Sequence, residues 1–240
     1  RALMPERLPM MPDTLFDVSS LTKPIATTTA MMLLVRDGRV RLDETVCAVI
    51  PEFSRGAKAA VTFRQLLNHT SGLPAWRPFY KSIMPENARG SPLSEEELQG
   101  PRGVMPVLPG ENAGRRRCLE GIHEEELTAS PGEKSLYSDL GFILLGEAVE
   151  RLSGRPLDLF CQDEVFAPMG LPSTFFAALN PCSLKLGLGP AHTVAATEDC
   201  PWRRKILCGE VHDDNAFVMG GIAGHAGVFS SALDVHHFIR

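Results

Sequence analysis

The sequence predicts an α+β fold in which helices outnumber strands. Two observations carry that expectation. Apolar residues recur at helical spacing over 20–36, 138–153 and 156–166. Few stretches alternate apolar and polar residues as half-buried strands do. A fold of repeated parallel βαβ units is therefore not expected. The 240 residues suit one or two domains, and a hydrophobic content of 44% suffices for a sizeable core and excludes a disordered chain. The net charge of −5 is mild and gives no basic footprint for nucleic acid. No apolar run approaches the length of a membrane span. The chain starts at Arg1 rather than Met, so a processed, trimmed or partial chain is expected, in which a signal peptide would be invisible.

The elements follow in order. Residues 1–14, rich in Pro and Met, read as an extended lead-in. Leu15 to Val18 lean towards β structure. A helix is predicted from Ser20 to about Arg36, ended by Asp37-Gly38 with Gly38 past its C-terminus. Val40-Arg41-Leu42 with Asp43 opens a short turn or helix that stops at Pro51. Thr62 and Gln65 have the spacing of a capping box for a short helix, which runs into the turn Thr70-Ser71-Gly72-Leu73-Pro74.

Residues 75–130 change character and read as an insertion lying over one face, with some helix near 94–99 and 119–127. Its charge runs, Arg115-Arg116-Arg117 and Glu124-Glu125-Glu126, are read as solvated. A strong amphipathic helix is predicted from about Leu140 to Leu152, closed by Gly154, and another from Pro156 to Phe166. Residues 172–208 read as irregular. A glycine-rich stretch, Gly220 to Gly227, precedes a last helix capped by Ser230 or Ser231. The six cysteines form no Cys-x-x-Cys pair, and isolated thiols are preferred over a Cys200–Cys208 disulfide.

The chemistry centres on Ser19-Ser20-Leu21-Thr22-Lys23-Pro24. Ser20 and Lys23 stand three apart, a spacing that puts both side chains on one helix face, about 5–6 Å apart at Cβ. A serine hydroxyl is a weak nucleophile until a base takes its proton, and a neighbouring lysine can do so. Amides at a helix start favour developing negative charge. The competing reading is that Ser20, or Ser19, merely caps the helix.

The rest of the chain decides between them. Leu66 to Pro74, the segment Tyr137-Ser138-Asp139 with Gly141 and Leu144-Leu145-Gly146, and the turn from Pro168 to Thr174 together resemble the serine β-lactamase and penicillin-binding protein superfamily. The closest resemblance is to class C-type β-lactamase-related hydrolases. It implies a β-lactamase/transpeptidase-like fold, an antiparallel sheet flanked by helices with a helical subdomain. It implies Ser20 as acylated nucleophile, Lys23 as its base and Tyr137 as a second proton carrier. The substrate would be a β-lactam, a D-Ala-D-Ala peptide or a small ester, with no cofactor or metal, in an exported or periplasmic setting. Residues 1–240 would form one domain truncated at both ends.

Two departures from the family pattern stand out. The second motif usually ends in Asn, whereas this sequence has Asp139, which cannot donate an amide hydrogen bond but can pair with Lys23. His225-Ala226-Gly227 invites assignment as the third motif. The flanking glycines weaken a strand, and the helix cap at Ser230-Ser231 leaves no room for one of usual length, about five residues. His225 is therefore expected on a loop near the cleft, and the true third motif beyond Arg240. Asp139 and His225 remain candidate substrate-binding residues. Two other readings compete with the hydrolase. One is a non-catalytic, penicillin-binding-protein-like ligand-binding domain or inactive relative. The other is a metal site from His212, Asp213, His225 and His236-His237, which lacks ligand spacing. His212 and Asp213 are better suited to bracing the cleft.

Overall fold

The computed structural model describes residues 9–83, 113–178 and 194–240. Its strands are β1 (Leu15–Asp17), β2 (Phe175–Phe176), β3 (Ala196–Cys200), β4 (Lys205–Cys208) and β5 (Val228–Ser231). Its helices are α1 (Thr29–Arg36), α2 (Phe63–Leu67), α3 (Tyr80–Ile83), α4 (Ala113–Glu124), α5 (Asp139–Ser153), α6 (Leu157–Cys161), α7 (Asp214–Val218) and α8 (Ala232–Ile239). One sheet has the order β1-β5-β2, and β3 and β4 form a separate pair. Both are antiparallel. The expected helix near 94–99 and Cys182 lie outside the described residues. Among the described cysteines Cys200 and Cys208 are both free.

The local signals act as their chemistry requires. Thr62 accepts from the Gln65 N–H while the Gln65 side chain accepts from the Thr62 N–H at 3.0 Å, closing the capping box. Gly154 ends α5 in the left-handed conformation at φ +72°, where a side chain would be strained. The first long helix is less regular than its pattern suggests. It opens as a 3₁₀ turn (Ser19–Leu21), widens to a π-helical stretch (Lys23–Thr28) and becomes α1 only at Thr29. Pro24, with no N–H to give, lies in the widened part.

Ile25, Ala26, Ala30, Met31 and Leu34 pack in one core with Leu140, Ile143, Leu144, Ala148 and Val149 of α5. Complete burial of a side chain such as Met31 or Leu144 contributes about 1.5–3 kcal/mol. Cys118 and Ile122 of α4 join this core. The same helical face carries Arg115, which lies 2.8 and 2.7 Å from Glu147 and Glu150 with only 13% of its side chain exposed. The reading of the arginine run as solvated therefore fails at Arg115, because helix phase turns it inward while Arg116 and Arg117 stay exposed.

Two expectations about strands are corrected. Residues 172–208, read as irregular, contain β2, β3 and β4. The outward positions of β3 carry Thr197 and Asp199, and the position between them, on the side of Ala196 and Cys200, is Glu198, a polar residue that hides the alternation. A strand of four residues, just under the usual length, also fits before the last helix, where a loop is expected. Ser231 is both the last residue of β5 and the N-cap of α8, accepting from the Asp234 N–H at 3.2 Å. An N-cap residue keeps β-region dihedrals, here φ −99° and ψ 160°, so strand and cap share it.

Helix α5 and the loop before β5 touch backbone to backbone. A Cβ on Gly224 would stand 2.0 Å from the Phe142 carbonyl oxygen, and one on Gly146 3.0 Å from Gly224 Cα. Gly224→Ala should therefore destabilise the protein by about 1–3 kcal/mol, read as a lower midpoint in urea unfolding. An unchanged midpoint would show that the loop can move aside without loss.

Candidate active site

Strand β1 delivers the chain to a sharp elbow. Asp17 holds it with both carboxylate oxygens, accepting from the Ser19 N–H at 2.8 Å and the His212 N–H at 2.7 Å. The Val18 N–H donates to the Val228 carbonyl of β5 at 3.0 Å. Ser19 takes φ +47°, an uncommon value for a residue with a side chain. The elbow leaves Ser20 exposed and turns Lys23 inward, where it is 3% exposed.

Lys23 Nζ donates to Ser20 Oγ at 3.0 Å and to the His225 carbonyl at 3.1 Å, and lies 2.7 Å from Asp139 Oδ1. The two directed hydrogen bonds go to Ser20 and His225. The Asp139 contact is a close ion pair whose alignment falls short of a hydrogen bond. Ser20 Oγ thus meets lysine and caps no amide; the 3₁₀ turn it occupies has no side-chain cap. Its local capping role is excluded.

Tyr137 comes from the segment entering α5. Lys23 Nζ lies 4.9 Å from its ring centre, and the side chain is half exposed. No hydrogen bond joins the Tyr137 hydroxyl to Ser20 or Lys23. Ser20, Lys23, Tyr137 and Asp139 converge, with Tyr137 meeting Lys23 through its ring. His69, within the Leu66–Pro74 motif but without a role assigned from sequence, lies against Tyr137 with ring centres 4.5 Å apart and planes tilted by 38°.

His225 lies on the loop before β5 and not on a strand, as its glycine-rich flanks predict. Its side chain is 1% exposed and so offers a substrate almost no surface. It contributes its carbonyl to Lys23 and its Nε2 to Asp213 Oδ1, 2.9 Å away. The same Asp213 oxygen caps α7, accepting from the Ala216 N–H at 2.7 Å. Burial is the strongest single influence on Asp213 and opposes its charge. The adjacent His225, the hydrogen bonds and Lys23 outweigh it and hold the carboxyl well below the usual range. His212 faces Glu198 at 3.2 Å, so Asp213 braces the site and the His212 side chain does not. Among the described residues no group of three or more His, Cys, Asp or Glu side chains could hold a metal ion.

The carboxyl of Asp213 has a depressed native value against an ordinary 3.8, so its stabilisation is full above about pH 4 and is lost as pH falls through the native value. Asp213→Asn keeps a capping side chain but removes the charge. Urea unfolding should show the variant less stable by about 3 kcal/mol near neutrality, with the gap closing in acid. A gap independent of pH would contradict this origin.

Comparison with known proteins completes the picture. The β-lactamase family model matches residues 3–240. A putative D-alanyl-D-alanine carboxypeptidase of Escherichia coli K12 is 32% identical over 251 residues, covering 97% of this chain and 51% of that protein. An N-acetylmuramyl-L-alanine amidase of Bacillus subtilis is 35% identical over 240 residues, covering 92% of this chain and 48% of the other. The chain therefore spans about half the length of these curated relatives. Two solved structures share the fold. The octameric penicillin-binding protein homologue of Pyrococcus abyssi has a TM-score of 0.67 at 24% identity, over 97% of this chain and 46% of that one. A β-lactamase/D-alanine carboxypeptidase of Yersinia pestis has 0.61 at 24%, over 98% and 56%. The α+β, β-lactamase/transpeptidase-like architecture is thus the observed one. No helix among the described residues is long and apolar enough to cross a membrane. By the family match along its length and by these relatives, the chain belongs to the β-lactamase family, within the serine β-lactamase and penicillin-binding protein superfamily.

Proposed function

We propose that this chain carries the nucleophile of a serine acyl hydrolase that opens an amide bond through an acyl-enzyme on Ser20. The observation that carries the reading is the 3.0 Å contact between exposed Ser20 Oγ and buried Lys23 Nζ. The hydrogen-bond arithmetic suits a base. As an ammonium, Lys23 offers three N–H groups to Ser20, His225 and Asp139. As an amine it keeps two for His225 and Asp139 and turns its lone pair to the Ser20 hydroxyl.

Ser20 Oγ then bonds to the substrate carbonyl carbon as its proton passes to Lys23, and the carbonyl π electrons move to oxygen. Collapse breaks the bond to the leaving nitrogen, which takes the proton that Lys23 received, directly or by relay through the Tyr137 phenol, which gives its own proton and is refilled from Lys23. Water then attacks the acyl carbon and gives a proton to Lys23, the bond from that carbon to Ser20 Oγ breaks, and Ser20 Oγ takes the proton back from Lys23 as the acid leaves. The Ser20 N–H at the elbow supplies one donor to the oxyanion. The relatives named for D-alanyl-D-alanine carboxypeptidase and muramyl amidase activity favour a peptidoglycan-type peptide or amide.

Intact-mass measurement after benzylpenicillin and a fluorophosphonate should show an adduct on the protein and none on Ser20→Ala. Lys23→Ala should slow acylation by about 10²–10⁴-fold. His225→Ala should cost less than Ser20→Ala, because only the latter removes the nucleophile. An adduct that persists in Ser20→Ala, or no adduct at all, would refute the reading. A ligand-binding relative without catalysis is the second reading. It is favoured by Asp139, which ties up Lys23 where the superfamily motif usually has Asn.

Asp139 also bears on substrate. A carboxylate accepts hydrogen bonds and donates none, so it suits a substrate N–H and gives nothing to a carbonyl. With matched D-alanyl amide and ester substrates, the protein should prefer the amide, and Asp139→Asn should lower that preference by about 10-fold, the effect of one charge-assisted hydrogen bond. An unchanged ratio would remove Asp139 from substrate recognition.

A further inference from the structure

His69 is a titratable group that the mechanism above does not use, and three of its contacts lead to residues 136–138. It follows α2 at φ +61°, in the left-handed region that favours glycine. Its carbonyl accepts from the Leu136 N–H at 2.8 Å. Its Nδ1 accepts from the Ser138 N–H at 3.1 Å. These two bonds bracket Tyr137 along the chain. The imidazole ring lies 4.5 Å from the Tyr137 ring and 5.2 Å from that of Phe142. Tyr137 thus has His69 on one side and Lys23, 4.9 Å from its ring centre, close by.

The donor at this contact is a backbone N–H, which cannot reverse its role. Nδ1 must therefore present a lone pair, which makes the ring neutral with its hydrogen on Nε2. An imidazolium carries N–H groups on both nitrogens and would set one against the Ser138 N–H.

We propose that His69 is a positioning residue for Tyr137: its neutral ring and its carbonyl clamp residues 136–138 so that the Tyr137 ring stays beside Lys23, and protonation of the imidazole opens the clamp. The proposal rests on Tyr137 taking part in the acylation described above. The charged groups facing His69 are Lys23 of the nucleophile helix and Asp139 at the start of α5. Burial foremost, and then Lys23, push the imidazole below its ordinary 6.5, while Asp139 pulls the other way. A histidine with a lowered native value is neutral in the folded protein near pH 7. Its clamp is intact above the unfolded value and is lost as pH falls through the native one.

The pH profile of Ser20 acylation by penicillin tests this with two variants. His69→Asn keeps a side-chain acceptor and tolerates φ above zero, but does not titrate. The protein should lose acylation on the acid side, below the ordinary imidazole range, as His69 takes up its proton. His69→Asn should keep its rate there. His69→Ala should be slower at every pH by about 10²-fold, the scale of a small misplacement of a reacting group. An acid limb unchanged in His69→Asn would overturn the proposal.

NMR on Ser20→Ala supplies a readout independent of turnover. The Tyr137 ring and the Leu136 and Ser138 amides should shift with the His69 titration. If they do not, the clamp is refuted even where acylation is observed. If they shift while no acylation occurs at any pH, the clamp stands and the acylation reading fails.

Discussion

The site depends on one buried cation. Lys23 is 3% exposed, and an ammonium so placed is costly unless each of its hydrogens meets an oxygen. The three oxygens come from separate stretches of chain: Ser20 on the elbow, Asp139 in the first turn of α5, and the His225 carbonyl on the loop before β5. Satisfying Lys23 therefore fixes where those elements sit relative to one another. Asp139 gains twice, because a carboxylate in the first turn of a helix also meets the positive end of the helix dipole.

Backbone contacts make that convergence rigid. Gly146 and Gly224 let α5 and the His225 loop approach to a distance that no side chain would permit. Thr27 Oγ1 donates to the Gly224 carbonyl at 2.7 Å, and the Val228 N–H donates to Thr22 Oγ1 at 3.1 Å. The nucleophile helix is thereby stitched to the loop on both sides of His225. Asp17 joins the elbow to residue 212, beside the Asp213 that holds the His225 ring. A side chain held by such a shell loses little freedom when substrate arrives, which is the physical meaning of preorganisation.

What was legible in the sequence is what short-range chemistry decides. The Ser20–Lys23 spacing, the Thr62–Gln65 box, the Gly154 stop and the Ser231 cap each involve residues a few positions apart. The pairing of Asp139 with Lys23 was also foreseeable, because an acid in place of an amide beside a lysine has little else to do. The missed features are long-range. Strand β5 is stabilised by β1 and β2, whose partner residues lie far away in sequence, so its own four residues carried little signal. Arg115 was judged by its charged neighbours instead of by the face it shares with Cys118 and Ile122. His69 was visible in its motif. Its task was not, because the partners of its carbonyl and ring lie 67 and 69 positions further along the chain.

These two groups of residues divide the work around Tyr137 in a consistent way. Lys23 and Asp139, with side chains 4% and 19% exposed, offset each other's charge largely out of water, so their balance is sensitive to any third charge nearby. A neutral His69 adds none. A charged one would place a second cation beside Lys23, which its burial already disfavours. The interaction that holds the Tyr137 ring beside Lys23 is thus the one that requires the neighbouring imidazole to remain uncharged. Geometry and electrostatics at His69 select the same protonation state, and on the proposed reading that is the state in which Ser20, Lys23 and Tyr137 act together.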